Sequence, residues 1–162
     1  MPAVPRREAR ERALSLLYEA EAKGLAPSAL LAELPVPADK FAEELVRGVE
    51  QHATRIDELI AAFAIDWKLE RMAVVDRLIL QIAVFELLER PEIPVGAVIS
   101  EAVELAKTYS TEESGRFVNG VLGSVAAQVR EPVLASDPDR EAGPARPART
   151  DEEPAWPNER GS

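Results

Sequence analysis

Four arginines lie within seven residues near the start of the chain: Arg6, Arg7, Arg10 and Arg12. A guanidinium grips phosphate oxygens through paired N–H donors, so such a cluster carries the chemistry of nucleic-acid binding. Arg6 and Arg10 are four apart and Arg7 and Arg10 three apart. On a helix this sets three guanidinium groups on one side, spaced for successive phosphates. A solvated charged face is the competing reading, because Glu8 and Glu11 partly neutralise the row. Stability alone does not put cations in a first helical turn, where they oppose the macrodipole. Tyr18 is eleven residues beyond Arg7 and shares its side, either to stack on a base or to pack in the core.

A second set of residues surrounds Gly120 and Gly123, which fall inside a helix expected from Ser110 to Val129 and opened by a Ser110–Glu113 capping box. Each interior glycine costs about 1 kcal/mol relative to alanine, which argues for close approach to this backbone. Val118, Val121, Leu122, Val125 and Val129 share one arc; Arg116, Gly120, Gly123, Ser124 and Ala127 share the other. The small arc suits a phosphate strand running past Arg116, or another helix packing closely. Lys107 is a further basic contributor, and Asn119 either bonds locally or reads an RNA edge. Catalysis finds no such support. His52 is the single histidine and sits on an apolar stripe, cysteine is absent, and neither a glycine-rich phosphate loop nor a nucleophile elbow occurs. No cofactor or metal is expected.

The elements that must position these groups are all helical. Ala9, Ala13, Leu16, Leu17 and Ala20 recur at helical spacing from Pro5 to Lys23, with Gly24 as the stop. A short helix follows from Pro27 to Leu34, bounded by Pro35 and Pro37. Asp39 then caps one long helix carrying Phe41, Leu45, Val49, His52, Ile56, Ile60 and Phe63. Asp66 caps the next, whose stretch from Met72 to Leu88 is apolar on nearly every side and therefore central. Pro91 and Pro94 end it, and Val95 to Tyr109 starts another amphipathic helix. The fold class is all-α, with six or seven helices over residues 1–130. Residues 131–162 hold six of the thirteen prolines and almost no large apolar groups except Trp156, and read as a disordered tail.

The chain has 162 residues, is 46% apolar but only 5% aromatic, and has a net charge of −10. Such a composition suits one aliphatic helical domain. The acidity opposes nucleic-acid binding at first, yet its distribution changes that reading: residues 131–162 carry eight acids and four bases, residues 1–12 four arginines and two glutamates. A basic patch on an acidic body remains an electrostatic footprint. The absence of cysteine, of a signal peptide and of a membrane-length apolar run leads to the expectation of a cytoplasmic protein without membrane contact.

Three strings, VDRLILQIAVFEL at 75–87, EAVELAK at 101–107 and RFVNGVL at 116–122, together with the arginine-bearing first helix, resemble the NusB family of transcription antitermination factors over about residues 5–130. The resemblance implies a small N-terminal helical bundle beside a larger C-terminal one. It implies binding to boxA-type single-stranded RNA in ribosomal RNA transcripts, with ribosomal protein NusE as partner and the RNA polymerase antitermination complex as setting. It turns the arginine row toward RNA contact, and Tyr18, Lys107, Arg116, Asn119 and Gly120 are the further candidates for that contact. Glu86, either paired with Arg90 or serving a partner, matches a position near the NusE-binding surface, as does Phe85. Phe85 stands where many relatives have tyrosine, and Gln81 where many have arginine. Two other classes fit less well. A homodimeric scaffold would use the small face, as reported for some relatives. Similar domains also begin some ribosomal-RNA cytosine methyltransferases, but the residues after Arg130 leave no room for a methyl-donor domain.

Overall fold

The first helix, α1 (Arg6–Lys23), begins after Pro5, whose ring fixes φ for helix entry, and ends at Gly24 in the left-handed conformation with φ 68°. The N–H groups of Gly24 and Leu25 return to the carbonyls of Glu21 and Ala20, satisfying the helix end. The expected apolar stripe is buried, and Leu14 and Arg10 are buried with it. This is a computed structural model, and it describes residues 4–65 and 71–130.

Proline opens α2 (Pro27–Glu33), and Glu50 ties it down by accepting from the Ser28 backbone N–H and hydroxyl. The long helix expected from Asp39 is instead two, α3 (Lys40–Gln51) and α4 (Ala53–Phe63). Asp39 does cap α3, accepting from the Ala42 N–H at 3.1 Å. The break falls at His52, with φ −109° and ψ 21°. Its ring Nδ1 lies 3.0 Å from the Gly48 carbonyl oxygen, which also accepts the His52 backbone N–H. Such a side-chain bond offers the backbone an alternative to the regular ladder. Apolar periodicity cannot show the break, because Ile56 and Ile60 stay buried beyond it.

The central helix is α5 (Val74–Glu89), with every residue from Leu78 to Leu87 buried. It packs against α1, α3, α4 and α6, the last being α6 (Val95–Tyr109). The expected Asp66 cap lies outside the described residues. The last helix, α7 (Glu112–Val129), starts later than expected, and its cap is Thr111: the Thr111 hydroxyl oxygen accepts the Ser114 N–H at 2.9 Å. Ser110 instead brings its hydroxyl 3.0 Å from that of Ser114, which donates to buried Asp76 at the start of α5. Seven helices and no strand occur among the described residues, as the all-α reading requires.

Two compact units divide the chain. Met1–Ala126 holds α1 to α6 and most of α7; Ala127–Ser162 follows, described only to residue 130. The proline-rich segment 131–162, with Trp156, lies outside the described residues.

Candidate nucleic-acid interface

Helix α1 sends its three leading arginines in three directions. Arg10 turns inward and does not join an exposed row: at 5% exposure it donates to both carboxylate oxygens of Glu86, at 2.9 and 2.7 Å. Glu86 is itself 1% exposed, so a buried carboxylate and a buried guanidinium neutralise each other across α1 and α5. Spacing along α1 shows only that Arg10 can share a side with Arg6 and Arg7; it cannot show a carboxylate waiting on a neighbouring helix. Glu86 thus finds its partner seventy-six residues away, while Arg90 reaches Glu92 and Glu44.

Arg6 and Arg7 remain at the surface. The Arg6 guanidinium carbon lies 4.4 Å above the Phe41 ring centroid, and Arg90 and Arg10 approach the same ring at 5.3 and 5.6 Å. A guanidinium held over a ring face is attracted by the ring's quadrupole and keeps its N–H donors for other acceptors, which suits an incoming phosphate. Beside it a cleft of about 500 Å³ is lined by Val4, Arg6, Lys40, Phe41, Glu44 and Arg90, among others. The sequence points to Phe41 only as part of an apolar stripe. Its role as a platform for guanidinium groups depends on the α1–α3 crossing. Arg7 donates to both oxygens of Glu101 on α6, each at 3.0 Å. That hydrogen bond first, then the attraction between the charges, holds the Glu101 carboxyl below its ordinary range.

Tyr18 is 49% exposed, so core packing is not its role. With Tyr109, Leu14, Ser15, Val75 and Glu11 it lines a cleft of about 360 Å³ between α1, α5 and α6. An exposed phenol ring beside a shallow apolar cleft can receive a nucleobase. Lys107, Arg116, Asn119 and Gly120 are all exposed. Lys107 lies across Gly115, where an added Cβ would sit 2.9 Å from the lysine Cγ. Among the described residues, no atom beyond the local helix backbone comes within 4 Å of a Cβ built on Gly120 or Gly123, so no described helix packs against the small face.

The tightest approach is to Gly48 on α3. A Cβ there would lie 2.2 Å from Cε1 of Phe85, whose ring also meets His52 at 5.5 Å between centroids. Phe85 is buried yet forms part of a surface cleft with Gly48, Gln51, His52 and Glu89. Gln81 donates to Asp57 on α4 at 2.9 Å and so acts as a helix clamp. Among the described residues no three His, Cys, Asp or Glu side chains gather as a metal site, and no helix is long and apolar enough to cross a membrane.

The fold recurs in known proteins. The NusB family model matches residues 7–127. The transcription antitermination protein NusB of Thermobifida fusca is 49% identical over 121 residues, covering 72% of this chain and 85% of that one. A T. maritima NusB structure superposes with a TM-score of 0.73 at 35% identity, covering 83% of this chain and 99% of that one. A structure of antitermination factors NusB and NusE in complex with dsRNA aligns with a TM-score of 0.67 at 30% identity, covering 76% and 96%. The chain belongs to the NusB family.

Proposed function

We propose that this protein is a transcription antitermination factor, a non-enzymatic cytoplasmic adaptor. It binds boxA-type single-stranded RNA in ribosomal RNA transcripts together with ribosomal protein NusE, within the RNA polymerase antitermination complex. The observation that carries the reading is the family match over residues 7–127, which takes in Arg7, Tyr18, Lys107, Arg116 and Asn119. A relative solved with NusE and dsRNA supports NusE and RNA as partners.

In this reading Arg6 and Arg7 attract phosphate at one end of the surface, and Lys107 and Arg116 attract it at the other. Tyr18 stacks on a base beside its cleft, and Asn119 reads a base edge. Gly120 lets the RNA backbone come close, which its open surroundings permit. Arg10 serves the interface indirectly, by neutralising Glu86 beneath it. NusE docks over the cleft floored by Phe85, with Glu86 holding the supporting helices together. A two-protein surface also compensates for the overall acidity of this chain.

Replacing Arg6 or Arg116 by alanine tests the phosphate roles through the salt dependence of RNA binding. Each lost contact lowers the slope of log K against log salt by about 0.7. Unchanged slopes in both variants would remove these residues from the interface.

A further inference from the structure

Arg7 is exposed yet already occupied. Its Nε and Nη2 donate to the two oxygens of Glu101 with the paired geometry that a phosphate would offer, and Glu104 and Glu11 add their charges nearby. The four residues line one small surface cleft between α1 and α6, with Leu105 and Thr108. Arg6, its neighbour in sequence, differs: its guanidinium lies over an aromatic ring, 4.4 Å from the centroid.

We infer that Glu101 is a built-in competitor for the RNA phosphate at Arg7, so the protein binds RNA by exchanging an internal carboxylate for an external phosphodiester. This rests on the RNA-binding reading above and adds a residue that sets its strength and selectivity. The pair approaches RNA as a neutral unit. A phosphate that captures Arg7 leaves the Glu101 carboxylate beside it, where it retains a cation that would otherwise be released. Arg7 therefore contributes little to the salt slope of the native protein. Weak or poorly placed phosphates fail to displace Glu101, because an ion pair in water competes on nearly equal terms with a single phosphate contact. A strand held in register by other contacts succeeds, since its phosphate is presented at high effective concentration. The exchange thus favours an RNA already anchored elsewhere over random encounters.

The test uses the full-length protein and a single-stranded RNA carrying a boxA sequence, with binding measured across a salt series. Glu101→Gln frees Arg7 and should tighten binding about 2- to 5-fold at low salt, the range set by exposed ion pairs. It should also steepen the slope by about 0.7. Glu104→Gln removes the same charge from the same cleft without a hydrogen bond to Arg7, and should leave the slope unchanged. In an Arg7→Ala background, Glu101→Gln should have no further effect on slope. Equal behaviour of Glu101→Gln and Glu104→Gln, or persistence of the steeper slope without Arg7, overturns the competitor role. Loss of RNA binding in all variants and in the native protein overturns the RNA-binding reading itself, and the competitor with it. Thermal unfolding of Glu101→Gln, expected to match the native protein within a few degrees, separates a change of affinity from a change of fold.

Discussion

Replacing Arg10 by methionine keeps the length of the side chain and removes the guanidinium that satisfies Glu86. In the native structure the two carboxylate oxygens of Glu86 accept bonds at 2.9 and 2.7 Å, and both side chains are almost fully shielded from water. Removing one member of a buried pair strands the other charge, at a cost of about 3–5 kcal/mol. For a domain of this size each kcal/mol shifts the melting temperature by roughly 3–4 °C, so the expected drop is about 10–20 °C. Replacing both residues, Arg10→Met with Glu86→Leu, removes the stranded charge and should recover most of that loss, because apolar pairs of similar volume replace buried ion pairs at little net cost. Calorimetry on the native chain, both single variants and the double variant measures the coupling directly. A single Arg10→Met variant that melts within two or three degrees of the native protein would refute the assignment, as would a double variant no better than the worse single one.

Gly48→Ala should destabilise by about 1–3 kcal/mol, since its Cβ would collide with the Phe85 ring, and denaturant unfolding would show it. Gly120→Ala should be neutral or stabilising by up to about 1 kcal/mol, because no described side chain occupies the space and alanine favours the helix. Phe41→Leu should weaken RNA binding several-fold by releasing Arg6 from its platform, while Arg6→Ala in the same background adds little; additive losses would contradict the coupling. The Glu101 carboxyl is held below its ordinary value of 4.5 by Arg7, so its contribution to stability is complete above that value and is lost as pH falls through the depressed one. Glu101→Gln should therefore flatten the acid limb of the stability curve, and an unaltered limb would show that the pair does not persist in solution.

Local signals in the sequence place most of the helices. Pro5, Gly24, Pro27, Asp39 and Pro94 each act through their own backbone or side chain, and the helices begin or end beside them as expected. The stripe of Ala9, Ala13, Leu16, Leu17 and Ala20 is buried for the same reason. Features that depend on two distant segments are not legible. Arg10 is indistinguishable from Arg6 and Arg7 until α5 brings Glu86 beneath it. The bend at His52 depends on one side chain reaching a carbonyl within a periodicity that continues unbroken. Glycines are ambiguous in the same way: Gly120 and Gly123 are exposed, whereas the most closely approached glycine is Gly48, whose neighbour Phe85 is thirty-seven residues distant. Tyr18 sits between an apolar stripe and a polar one, and only the positions of α5 and α6 leave its ring exposed.

The central claim is that this chain joins NusE in reading a particular RNA. Its most direct test is the affinity of the purified protein, with and without NusE, for a boxA RNA and for a scrambled RNA of the same composition. Preference for boxA and a marked gain in affinity when NusE is present are the expected results. Equal affinity for both RNAs, unchanged by NusE, would contradict it.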